Sequence, residues 1–140
     1  KKDSVKVAVV DHIGLVEVPD ANSANERLGM VTRAMKKLAK ELDIPIILVS
    51  QLNRGNDKEN REPKISDLRD SGSIEQDADI ILLMHRVEAT TVMNGQEVLD
   101  YSHHRFIMGK NRQGAIGHIA EKFFFNGQLQ TFTQETVENY

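Results

Sequence analysis

The hydrophobic positions fall into two regimes, a parallel α/β pattern followed by antiparallel strands. Residues 5–10, Val-Lys-Val-Ala-Val-Val, form a short β-branched run ending at Asp11, the pattern of a strand buried on both faces with a polar residue at its carboxyl end. Ser23 with Glu26 three places on is a capping-box pattern. Leu28, Val31, Met35, Leu38, Ala39 and Leu42 follow at helical spacing, which predicts a helix over 24–42. Its other face carries Arg33, Lys36, Lys37 and Lys40 and reads as a solvated surface. Pro45 blocks further helix, and Ile46 to Val49 make a second buried strand ending at Ser50 and Gln51. Strand, helix and strand form a β-α-β unit, whose two strands should run parallel with a right-handed crossover.

Residues 52–64 are polar, contain Gly55 and Pro63 and show no periodicity, so they read as a long mobile loop. Residues 67–79 read as a turn and a short helix leading into a third apolar strand, 80–84. Beyond it, Asn94-Gly95 and Asn126-Gly127 are turn signals among strand-like stretches near 87–101, 103–109, 116–125 and 129–133. Every aromatic side chain falls after position 100, which marks a change of architecture. The fold class is α/β, a parallel core extended by antiparallel β-hairpins.

Composition narrows the function. A length of 140 residues suffices for one domain with its own core, and 39% hydrophobic with 28% charged residues is the balance of a folded protein. A net charge of −3 excludes a polycation that binds nucleic acid by bulk charge, so any basic site is local. The absence of cysteine excludes disulfides, a thiol nucleophile and a thiolate zinc site. The apolar run near the start is too short for a signal peptide or a membrane span, which predicts a soluble intracellular protein with no membrane partner.

Three constellations carry candidate chemistry. In open α/β sheets, ligands bind beyond the carboxyl ends of the strands, where Asp11 and Gln51 sit. An aspartate there suits Mg²⁺, which prefers few carboxylates plus waters and phosphate oxygens. An amide such as Gln51 suits water orientation or phosphate sensing. A strand-end aspartate is also a common helix cap or loop anchor. The second constellation is Gly109-Lys110-Asn111-Arg112-Gln113-Gly114, whose two cations, spaced two apart on an extended segment, share one side and suit phosphate. An exposed hairpin tip is the plain alternative. The third is 66–79, Ser-Asp-Leu-Arg-Asp-Ser-Gly-Ser-Ile-Glu-Gln-Asp-Ala-Asp, where small residues and Arg69 lead into a helix start that suits phosphate. Ser71 or Ser73 as a simple helix cap is the structural reading. No G-x-x-x-x-G-K-[ST] occurs in these residues, and the five histidines form no metal-ligand pattern. The Phe123–Phe125 run reads as core or hairpin packing.

Taken in order, these motifs resemble the C-terminal part of the RecA-like motor domain of the DnaB-type replicative DNA helicases, over roughly residues 5–127. Val-Ala-Val-Val-Asp11 resembles the Walker B strand, and Ser50-Gln51-Leu52-Asn53-Arg54 matches the family's S-Q-L-N-R. Residues 66–79 are similar to S-D-L-R-E-S-G-S-I-E-Q-D-A-D, the most specific part of the match. The resemblance implies a RecA-like, P-loop NTPase type of fold. It implies ATP and Mg²⁺ as cofactors, with Asp11 holding Mg²⁺ through water and Gln51 sensing the γ-phosphate. Arg69, Asp70 and Gly72 are implied in contacts with single-stranded DNA, and Lys110 and Arg112 in reaching nucleotide held by an adjacent subunit of a homo-hexamer. Primase and a helicase loader are implied partners, in the replisome of a bacterial or phage-infected cytoplasm. Two stretches depart from the family: Asp11-His12-Ile13-Gly14-Leu15-Val16 replaces D-Y-L-Q-L-M, a form closer to phage or plasmid relatives, and Asp70 replaces Glu in the second.

In the family, the P-loop, the catalytic glutamate and an N-terminal domain precede the Walker B strand. Residues 1–140 therefore read as a partial motor domain, inactive alone, with the general base expected from the preceding part. Two rival readings remain at this point: another RecA-like ATPase or recombinase, and a non-catalytic assembly module.

Overall fold

The computed structural model describes residues 5–19, 21–52, 61–68, 71–87, 89–100 and 102–134. The chain divides into two compact units, Lys1–Asp79 and Ile80–Tyr140. In the first, β1 (Ala8–Val10) leads through a 3-10 turn (Ile13–Leu15) to α1 (Ala24–Leu42) and β2 (Ile46–Leu48). A second 3-10 turn (Ile65–Asp67) precedes the short α2 (Ser71–Asp77).

The limits of α1 follow from its ends. Ser23 Oγ accepts the Glu26 N–H at 3.1 Å, as its capping position requires. The Glu26 carboxylate reaches one residue further back than a capping box would take it, accepting the Asn22 N–H at 2.8 Å. At the other end Asp43 adopts the left-handed conformation, φ 52°, and its N–H returns to the Ala39 carbonyl.

The strands β1 and β2 pair in parallel, with Ala8 opposite Ile46 and Val10 opposite Leu48, as the β-α-β reading requires. The expectation of burial on both faces is corrected. Ala8, Val10, Ile46 and Leu48 are half-buried, whereas Val7, Val9, Ile47 and Val49 are exposed. Side chains alternate across a strand, and the second face stays open among the described residues of this unit.

The buried positions of α1 also differ from its apolar stripe. Leu28, Gly29, Val31 and Thr32 are buried, while Leu38 and Leu42 at the far end are exposed. Lys36, read as part of a solvated face, instead forms an ion pair with Asp79 just beyond α2. The helix is thus buried partly by its small and polar residues.

The second unit contains β3 (Ile80–Arg86), β4 (Ala89–Met93), β5 (Gln96–Asp100), β6 (His103–Asn111), β7 (Gly117–Asn126) and β8 (Thr131–Gln134). One antiparallel sheet has the order β3-β6-β7-β8, and β4-β5 form a separate ribbon. The third apolar strand therefore opens the antiparallel sheet. Asn94 and Gly95 both take positive φ, 54° and 79°, the mirror-image turn that matches strand twist. At Asn126 the turn is longer, and the Asn126 Oδ1 accepts the N–H groups of Gln128 and Leu129, each at 3.0 Å.

The aromatic run packs as expected. Phe123 meets Phe106 with ring centroids 4.8 Å apart, Phe125 meets Phe132 at 4.8 Å, and Phe124 meets His103 at 4.4 Å. At the corner leading into β6, the Ser102 N–H donates to Asp100 Oδ1 at 2.8 Å and holds that carboxyl below its ordinary pKa.

Candidate functional site

The first constellation stands at the carboxyl edge of the parallel pair. The Val49 N–H donates to the Val10 carbonyl at 3.0 Å, and the Ile13 N–H donates to the Val49 carbonyl at 3.0 Å. The chains leaving β1 and β2 therefore stay hydrogen-bonded beyond the last paired residues. Asp11 and Gln51 emerge there, both exposed. The Asp11–His12 peptide bond is cis. His12 caps the 3-10 turn, its Nδ1 accepting the Gly14 N–H at 3.1 Å, while buried Ile13 anchors the same turn. Among the described residues, no group of three or more His, Cys, Asp or Glu side chains is placed to hold a metal ion. A single exposed carboxylate beside an amide is not an all-protein cage, but it fits Mg²⁺ that keeps its waters and binds phosphate.

The second constellation is the β6–β7 connection. Ile81 pairs with Lys110 and Leu82 with Met108, so Gly109 is an extra residue on β6, a bulge immediately before Lys110. Lys110 is half-buried in the strand. Arg112, however, is exposed in the turn that follows, so the reading of both cations on one extended segment is corrected. A bulge and a turn aim them, not strand alternation. Asn111 organises that turn: its Oδ1 accepts the Gln113 N–H at 3.1 Å, and its Nδ2 donates to the Ala115 carbonyl at 3.4 Å. A Cβ at Gly114 would stand 2.6 Å from Asn111 Nδ2, so the turn is built around this amide. Sequence reading passed over Asn111, although an Asn before a Gly-containing turn is its ordinary signal.

The third constellation is known by its supports. Arg69 and Asp70 lie outside the described residues. Immediately before them, Leu68 is buried and forms an antiparallel bridge with Leu52. The Arg61 guanidinium grips Asp67 with two hydrogen bonds, 2.8 and 2.9 Å, and the Lys64 N–H donates to the same carboxylate at 2.7 Å. The stretch 61–64 is therefore anchored, unlike the loose loop expected there; 53–60 lie outside the described residues. After the pair, the space where a Cβ on Gly72 would stand is open.

Comparison with known proteins shows the family. The family model of the DnaB-like helicase C terminal domain matches residues 1–134. The replicative DNA helicase DnaB of Mycoplasma pneumoniae is 37% identical over 140 residues, which is 94% of this chain and 29% of that protein. A solved DnaB-like replicative helicase, studied with its primase interactions, superposes with a TM-score of 0.73 at 32% identity, covering 90% of this chain and 29% of that one. A second solved structure, of an ATPase domain, superposes with a TM-score of 0.69 at 31% identity, covering 93% of this chain and 44% of that one. The chain thus spans less than a third of that curated relative. Its α/β fold is RecA-like, as the motif order implied, and the chain belongs to the family of DnaB-like helicase C-terminal domains.

Proposed function

We propose that these residues form part of the motor of an ATP-dependent replicative DNA helicase, which couples ATP hydrolysis at subunit boundaries to movement along single-stranded DNA and duplex unwinding. The observation that carries this reading is the register of β1 and β2, which delivers Asp11 and Gln51 to one sheet edge. Mg²⁺ and ATP, when bound, supply the polarised phosphoanhydride that is hydrolysed. Asp11 accepts hydrogen bonds from the metal's waters, and Gln51 offers both a donor and an acceptor toward the terminal phosphate. Lys110 and Arg112 lend positive charge to the neighbouring subunit's site in a homo-hexamer.

The loop carrying Arg69 and Asp70, with Gly72 at the start of α2, takes the DNA backbone. Gln51 directly precedes Leu52, and Arg69 directly follows Leu68. The Leu52–Leu68 bridge is thus a short backbone link between the proposed phosphate sensor and the proposed DNA loop. The open apolar face of β1 and β2 also suits a piece of a larger sheet, since parallel strands are normally covered on both faces. Primase and a loader are proposed partners of the whole assembly, in the cytoplasm of a bacterial or phage-infected cell. No helix among the described residues is long and apolar enough to cross a membrane.

Two measurements test this reading. Residues 1–140 alone should hydrolyse no ATP, because they contain no Walker A motif. Phosphate release above background from that fragment would contradict the assignment of roles. In the full-length protein, Arg69→Ala should weaken binding to single-stranded DNA and lower the salt slope by about 0.7, the value for one lost phosphate contact. A slope equal to wild type would remove Arg69 from the DNA path.

A further inference from the structure

One side of the second half of the 66–79 signature lies against α1, while Glu75 and Gln76 are exposed. Ser73, Asp77 and Asp79 meet Gly29, Thr32 and Lys36 on α1 in matching order. At the first pair the fit is tight: a Cβ on Gly29 would stand 2.9 Å from Ser73 Oγ and 3.5 Å from Ser73 Cβ. At the second, Thr32 Oγ1 donates to Asp77 Oδ2 at 2.6 Å, with Thr32 only 4% exposed. At the third, Lys36 pairs with Asp79. Residues 29, 32 and 36 are spaced three and four apart and so lie along one side of α1.

We infer that this seam is a positioning device, in which Gly29, Thr32 and Lys36 on α1 fix the far end of the DNA-contacting loop. The role rests on the helicase reading above and extends it to residues that touch neither nucleotide nor DNA. The described residues before and after Arg69 and Asp70 are then each anchored. Arg61 with Asp67 and Leu52 with Leu68 fix those before, and the α1–α2 seam fixes those after. A bidentate pair and a buried hydroxyl–carboxylate bond each restrict orientation as well as distance. Such supports fix Leu68 and α2, the described residues on either side of Arg69 and Asp70.

The test uses full-length protein, fluorescein-labelled oligothymidylate for DNA affinity, and ATPase assays with and without unlabelled oligothymidylate. Gly29→Ala favours helix formation, so propensity alone predicts no harm. Ser73 Oγ can rotate away from an added Cβ, so that change should be mild; Gly29→Leu, whose longer side chain meets Ser73 Cβ, should bind oligothymidylate about tenfold more weakly and lose stimulation of ATPase, because displacements of positioned groups are costly. The DNA-free kcat and the KM for ATP should stay within about twofold, the range expected when only coupling is altered. Thr32→Val should reproduce the loss and Thr32→Ser should not.

Unchanged DNA affinity in Gly29→Leu and Thr32→Val overturns the seam. So does an equal loss of DNA-free and DNA-stimulated turnover. Wild-type protein that fails to bind oligothymidylate overturns the helicase reading itself, and this role with it.

Discussion

Replacing Arg112 by alanine in the full-length protein is expected to lower ATP turnover by about 10³- to 10⁵-fold, the contribution typical of an arginine that stabilises transition-state charge on transferred phosphate. Nucleotide affinity should hold, because the ground state is gripped mainly by the cradle of the subunit that binds it. The loss should therefore fall on kcat rather than KM. The turn itself should survive, since Arg112 is exposed and the hydrogen bonds to Gln113 and Ala115 come from Asn111. A trans role makes a second demand. At magnesium too low to serve Asp11→Asn, mixed rings of Arg112→Ala and Asp11→Asn subunits should recover part of the activity that neither variant has alone, because some boundaries would combine two intact halves. Normal turnover in Arg112→Ala, or mixed rings no better than either parent, would return this hairpin to the role of an exposed tip.

The elements legible in the sequence were those specified by short-range chemistry. The limits of α1 follow from Ser23, Asp43 and the periodic residues between them, all within reach of one helix. The turn at Asn94-Gly95 needs two positive φ angles, and few residue pairs supply them. Parallel pairing of β1 and β2 followed from the crossover rule. What remained illegible depends on partners far away in the chain. Gly29 and Thr32 look like interruptions of an apolar stripe until Ser73 and Asp77 lie against them. Lys36 looks solvated until Asp79 is beside it.

The same division holds at the site. The position of Asp11 and Gln51 at the carboxyl edge was legible because that edge follows directly from strand order. The placement of Arg112 was misread because a bulge at Gly109 and an Asn-centred turn interrupt the strand period on which the reading relied. Period-based arguments fail where one residue is inserted. The Arg61–Asp67 clamp was missed for another reason, since a polar aperiodic stretch gives no signal that its last residues are anchored.

Asp11→Asn is the second substitution with a large expected effect, and it separates two explanations of the same residue. The change keeps shape and hydrogen-bonding capacity but removes the charge. If Asp11 orders waters around Mg²⁺, the magnesium concentration for half-maximal ATPase should rise by about 10- to 100-fold, the usual cost of losing an outer-shell partner. Excess magnesium should then recover much of kcat. Stability should change little, because Asp11 is exposed and the backbone bonds at this edge join Val10, Ile13 and Val49. If Asp11 only anchors the turn after β1, the pattern reverses: the melting temperature falls while the magnesium requirement stays at wild type. The geometry favours the first outcome, since the turn is already capped by His12 Nδ1 on the Gly14 N–H and anchored by buried Ile13. A carboxylate that the local backbone does not need, at the edge where open α/β sheets take ligands, is available for the metal.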